Sequence, residues 1–204
     1  MIALFLSAFV TLFLVIDPPG CAPIFAGLTK NATALHRRAM AIRSTLVASA
    51  VLLMFALVGE ALLQQLGISL DAFRIAGGIM LFLIALEMVF EKRTQRREHR
   101  AAEVDPNYED ISIFPMAIPM IAGPGAIATI MLLVGRSNGI AETLVVLAAL
   151  AATMILMLLS LLAAGAIMRV LGPKLEAMIT RMLGVILAAL ATQFVIDGVK
   201  ASFG

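Results

Sequence analysis

The chain has 204 residues, of which 62% are hydrophobic and 14% charged, and its mean hydropathy is +1.05. A soluble domain is about 45–50% apolar and about 25% charged, and one of this size has too little interior to hide the excess. The net charge of +2 is small and spread over loops, which excludes a nucleic-acid-binding face. The composition is that of an integral, all-α membrane protein whose first partner is the lipid bilayer.

A helix needs about 20 apolar residues to cross a bilayer core. Six stretches qualify in chain order: Ala3–Leu28, Ala41–Leu66, Ala72–Phe90, Ile111–Val134, Thr143–Met168 and Met182–Phe203. The first lacks a basic leader and continues past Asp17-Pro18-Pro19, so it reads as a span and not as a cleaved signal. Between the third and fourth, Glu91–Asp110 is a polar stretch that reads as a solvated cytoplasmic loop. One face of the predicted bundle carries twelve Lys and Arg, including Arg37, Arg38, Arg93, Arg97 and Arg181. The other carries three, Arg74, Arg136 and Lys200. The bias puts the first face in the cytoplasm and both termini on the outer side of the membrane.

The halves match at a spacing of 105 residues. Leu66-Gly67 lies over Leu171-Gly172, Pro19-Gly20 over Pro124-Gly125, and, after two inserted residues, Arg74 over Arg181. The expected organisation is one membrane domain: a three-helix repeat over 1–90, the loop 91–110, and a second repeat over 111–204. Three spans per repeat is an odd number, so the second repeat enters the membrane inverted. Inverted three-plus-three repeats are characteristic of secondary transporters.

The first and fourth spans are interrupted near their middles. Pro18 and Pro19 lack N–H groups and cannot continue a helix, so the first helix stops near Ile16 and restarts with Asp17 as N-cap. Gly20 is then the first N–H that the cap can meet, which leaves one carboxylate oxygen for a cation. In the fourth span Gly123-Pro124-Gly125 makes the break, and Gly125 and Ala126 offer N–H groups with no acid beside them. Irregular backbone at membrane depth persists where it lines a cavity, and helix N-termini attract anions. An acidic end and a donor end together suit a small zwitterion such as an amino acid. Cys21, beside the first break, is a packed residue or a further substrate contact. Glu60 and Arg74 lie near the outer ends of their spans and are expected to pair as a gate. Gly77, Gly78, Gly184 and Gly165 read as close-packing positions.

No cofactor is implied. One cysteine excludes a disulfide, a cysteine zinc cage and a CxxC centre, and His36 and His99 sit among arginines, away from the apolar segments. There is no HExxH motif, no intramembrane aspartate pair and no Ser/His pair in the spans, so the chain is not expected to be an enzyme.

The motifs Asp17-Pro18-x-Gly20-x-x-Pro23-x-Phe25, Arg74-Ile75-Ala76-Gly77-Gly78 and Pro119-x-x-Ala122-Gly123-Pro124-Gly125-Ala126-Ile127 give the whole chain a resemblance to the MarC family of six-span bacterial inner-membrane proteins. That family lies near the LysE-type exporters. The resemblance implies a secondary transporter, since some archaeal relatives are regarded as cation-coupled carriers of small neutral amino acids. Here the coupling ion would be H⁺ or Na⁺. Cys21 stands where the family usually has Asn, so an amide ligand is missing at that position. An ion-conducting channel and a non-transporting stress or assembly protein remain alternative readings.

Overall fold

The structure is a computed structural model that describes residues 1–102 and 110–203. Residues 103–109 of the expected cytoplasmic loop lie outside the described residues, as do the side chains at the repeat positions Leu171, Pro173, Lys174 and Glu176. The helices are α1 (Ile2–Ile16), α2 (Pro18–Leu28), α3 (Ala34–Gln65), α4 (Leu70–Val89), α5 (Lys92–Ala102), α6 (Pro124–Gly135), α7 (Ile140–Leu162) and α8 (Ala164–Phe203). An irregular segment, Ser112–Ile121, precedes α6. Five stretches are long and apolar enough to cross a membrane, with a sixth if Ser112–Ile121 and α6, bent by 55°, form one span.

Two of the expected spans differ in form. The first half of the fourth is not a regular helix: Phe114 (φ −122°, ψ 130°) and Ile118 (φ −128°, ψ 124°) are extended. Each precedes a proline, Pro115 or Pro119, whose ring disfavours helical angles at the residue before it. The fifth span ends earlier than expected. Helix α7 stops at Leu162, so the stretch up to Met168 belongs to α8. Helix α8 is itself interrupted at Gly172 (φ 65°, ψ 167°), a backbone conformation that favours glycine.

Side chains that point between the helices build a continuous apolar core, with Leu12, Ile16, Phe25, Leu52, Leu81, Met88, Met116 and Ile130 fully buried. Leu46, Leu53, Leu57, Leu83, Ile155, Leu159 and Val185 are exposed along the same helices, as lipid-facing positions must be. Hydroxyls inside the bundle turn back onto their own helices. Thr45 donates to the Ala41 carbonyl at 2.9 Å, Thr129 to Gly125 at 2.7 Å and Thr153 to Ala149 at 2.9 Å. This satisfies them without a partner helix.

The most extensive packing is α4 against α8; α1 lies on α7, Ser112–Ile121 on α3, α2 on α7 and α8, and α6 on α3 and α4. Glycine permits the α4–α8 approach. A Cβ on Gly78 would stand 2.9 Å from the Ala191 carbonyl, one on Gly184 3.1 Å from that of Ala85, and one on Gly198 3.1 Å from that of Asp71. The obstructing atoms are backbone, so they cannot rotate away. Gly165 has nothing within 4 Å of such an atom, so it is not a close-packing position. Gly78→Ala is therefore expected to destabilise the purified protein by about 1–3 kcal/mol, as overpacking does. Gly27→Ala, also in a helix but with open space, should gain about 0.5–1 kcal/mol from helix propensity. Thermal melts of the two variants in detergent check the contrast.

Candidate functional site at the two helix breaks

The first break is a single residue. Asp17 adopts φ 60° and ψ 65°, a left-handed conformation that Asp and Asn tolerate better than other side chains with a Cβ. Its N–H closes α1 on the Phe13 carbonyl at 2.9 Å. Its Oδ1 accepts the Gly20 N–H at 3.1 Å and so caps α2, with Pro18 and Pro19 filling the first turn. Gly20 must be glycine, because a Cβ there would lie 2.8 Å from the Asp17 carboxyl carbon.

The missing N–H groups of Pro18 and Pro19 leave the Leu14 and Val15 carbonyls without helical partners, and the cap diverts the Gly20 N–H from that of Ile16. Two are taken by side chains. Cys21, fully buried, brings its thiol to 3.7 Å from the Ile16 carbonyl. Arg93 of α5 donates from Nη2 to the Val15 carbonyl at 2.6 Å. Four residues along the same helix, Arg97 donates from Nη1 to Asp17 Oδ2 at 2.8 Å. Both arginines are at least nine-tenths buried. Burial, and next the positive charge of Arg97, push Arg93 down to about 10, so it remains a cation at neutral pH.

This geometry corrects two expectations. Glu91–Asp110 is not simply a solvated loop, because its first part is α5, and α5 plugs the first break with two arginines. The Asp17 oxygen expected for a cation already holds Arg97. The signal for α5 was the four-residue spacing of Arg93 and Arg97, which sets both on one helix face. Their targets, 78 and 80 residues earlier, leave no local trace in the sequence.

The second break is where space remains. A cavity of about 340 Å³ is lined by Gly123, Pro124, Gly125 and Ala126 of the break, by Ile84 and Glu87 of α4, and by Arg93, Arg96 and Arg97 of α5. Val15 reaches it from α1; Asp17, Gly20 and Cys21 do not line it. Helix α6 starts at Pro124 with no side-chain cap, so its positive end faces this space. Gly125 is held close to its neighbours: a Cβ would collide with the Ile84 methyl and lie 3.5 Å from Val15. A Cβ on Gly123 would lie 2.6 Å from the Pro119 carbonyl. Glu87 pairs with Arg96 at 2.6 Å. Among the described residues no three His, Cys, Asp or Glu side chains come together as a metal site requires.

The expected Glu60–Arg74 pair does not form. Glu60 accepts from Gln64 at 3.3 Å on its own helix. Arg74 lies 3.3 Å from Asp71, three residues earlier on the same helix face. A partner one turn away needs no bridge between helices. On the same expected outer face, Arg136 at the end of α6 pairs with Asp197 of α8 at 2.6 Å and lies over the Phe194 ring at 5.5 Å.

The buried Asp17–Arg97 pair makes a measurable prediction. Arg97→Gln or Asp17→Asn alone should destabilise the fold by about 3–5 kcal/mol, because each removes one half of a buried, hydrogen-bonded ion pair. The double variant should lose less than the sum of the two. Additive losses in thermal melts would show that the contact carries no coupling.

Comparison with known proteins bears on what this site belongs to. The family described as MarC family integral membrane protein matches residues 2–203. A UPF0056 membrane protein of Pyrococcus abyssi is 35% identical over 200 residues, 98% of this chain and 96% of its own length. The UPF0056 membrane protein YvbG of Bacillus subtilis is 35% identical over 76% of this chain and 75% of its own. The UPF0056 inner membrane protein YhgN of Escherichia coli is 40% identical over 63% and 62%. No solved structure matches. With helices of membrane-spanning length and a family match that runs end to end, the chain belongs to the MarC family of integral membrane proteins.

Proposed function

We propose that the protein is a secondary transporter of small neutral amino acids in a bacterial inner membrane, driven by H⁺ or Na⁺. The observation that carries this reading is the cavity at the second break, into which the uncapped start of α6 presents backbone donors. Interrupted helices whose ends face a cavity are how transporters hold a polar solute at membrane depth. The solute carboxylate meets Gly125 and Ala126. The acid on the cavity wall is Glu87, which replaces Asp17 as the group an ammonium would approach.

An inverted repeat of residues 1–90 and 111–204 is supported by two features. Gly67 and Gly172, matched in the sequence, both take positive φ, 69° and 65°. Exchanging the halves also carries the α1–α7 packing onto that of Ser112–Ile121 with α3, and α2–α8 onto α6–α4. The basic-residue bias supports periplasmic termini. A periplasm-dependent reporter fused after Gly204 should then be active and a cytoplasm-dependent one silent. The opposite pattern overturns the orientation.

Purified protein in liposomes should take up labelled alanine or glycine saturably when an H⁺ or a Na⁺ gradient is imposed. Gly125→Ala, which forces the Ile84 methyl aside at the mouth of the donor site, should cut that uptake about tenfold or more, since small misplacements near a positioned group cost that much. Gly27→Ala should leave it unchanged. Unsaturable flux indifferent to Gly125→Ala would mean a channel, and no flux at all would end the transport reading.

A further inference from the structure

The charges on the cavity wall do not balance. Glu87 is matched by Arg96 at 2.6 Å, and Asp17, behind the wall, by Arg97 at 2.8 Å. Arg93 is the remaining cation. It is 8% exposed, and its acceptors are the Val15 carbonyl at 2.6 Å and the Met88 thioether at 3.0 Å. Both are neutral, and a thioether accepts only weakly from a guanidinium that carries five N–H donors. Among the described residues, no carboxylate comes within ion-pair distance of Arg93. A buried cation without a carboxylate in contact is costly, yet this one forms part of the wall of a cavity that also contains the uncapped start of the 12-residue helix α6. Two independent sources of positive potential share one cavity of about 340 Å³, within the range of small-ligand sites.

We propose that this cavity binds a small organic monocarboxylate as an anion, its carboxylate held between Arg93 and the α6 N-terminus, with no ammonium group required. The inference rests on the reading of the cavity as the solute site. It differs in the ligand: Glu87, the only acid on the wall among the described residues, is already engaged by Arg96, so a solute ammonium has to compete for it. The carboxylate alone meets donors that no carboxylate among the described residues pairs with directly.

The test uses the full chain in detergent. Cys21 is its one cysteine and is fully buried, so a thiol-reactive fluorogenic dye reports unfolding. Ligands of the native state raise the melting temperature with concentration. Propionate and alanine should both raise it saturably, by several degrees, and alaninamide, which lacks the carboxylate, should not. Arg93→Gln, whose amide can still donate to the Val15 carbonyl, should weaken the propionate response about tenfold or more, the scale of a lost charged hydrogen bond. Arg93→Lys, which keeps the charge, should retain most of it. If Arg93→Gln does not fold, the comparison of wild type with Arg93→Lys under rising chloride decides, because competition by chloride is expected of an anion site. Protection by alanine without protection by propionate overturns the proposal and leaves the zwitterion reading standing. A propionate response indifferent to Arg93 or to chloride also overturns it. Propionate binding without amino-acid uptake in liposomes would instead retain the anion site and remove the transport function.

Discussion

Two adjacent prolines without N–H groups, Pro18 and Pro19, sit inside an apolar bundle, and the rest of the site is arranged around that deficit. A carbonyl left unpaired away from water costs several kcal/mol. In a soluble protein a water molecule would take it. Here the partners come from the chain itself: a thiol one turn on, and an arginine from a helix that follows the third span. Asp17 has the same double character. It caps the restarted helix and supplies the counter-charge that allows Arg97 to be buried. Remove the prolines, and neither the buried arginines nor the left-handed aspartate has a reason to exist.

The two breaks solve the same backbone problem in opposite ways. At the first, the Val15 and Ile16 carbonyls and both Asp17 oxygens are matched by protein, and Asp17, Gly20 and Cys21 do not line the cavity at the second. At the second, the helix start is left without a cap and faces open volume. Helix α5 connects them. Its Arg97 seals one break, while Arg93, Arg96 and Arg97 all contribute to the wall of the other. The asymmetry expected from the sequence was acid at one break and donors at the other. The asymmetry found is one break closed by side chains and one that opens on a cavity.

Much of this was legible before any coordinates. Composition set the class, apolar length set the spans, and Pro-Gly pairs located both interruptions. Close packing was legible at Gly78 and Gly184, though not at Gly165. What escaped was long-range or competitive. Arg93 and Arg97 stand in a run of charges that has every local mark of a solvated surface, and only their distant targets reveal their burial. The irregular Ser112–Ile121 segment had its signal in Pro115 and Pro119. Those prolines were outweighed by the hydrophobicity around them, which measures suitability for the membrane and says nothing of backbone shape. The Glu60–Arg74 pairing failed because charge complementarity was read across two helices when Asp71 stood one turn from Arg74.

The Arg93 contact also bears on how the chain is made. Val15 and Asp17 enter the membrane early in synthesis, yet the side chains that complete their turn arrive 78 and 80 residues later. Until the ribosome has delivered the polar stretch after the third span, the Val15 carbonyl and the second Asp17 oxygen lack the arginines that complete the turn. The native form of the first turn is thus completed only with the segment that follows the third span. Helix α5 closes this unit, and a nascent chain halted before residue 97 would hold its first hairpin in an incompletely seated form.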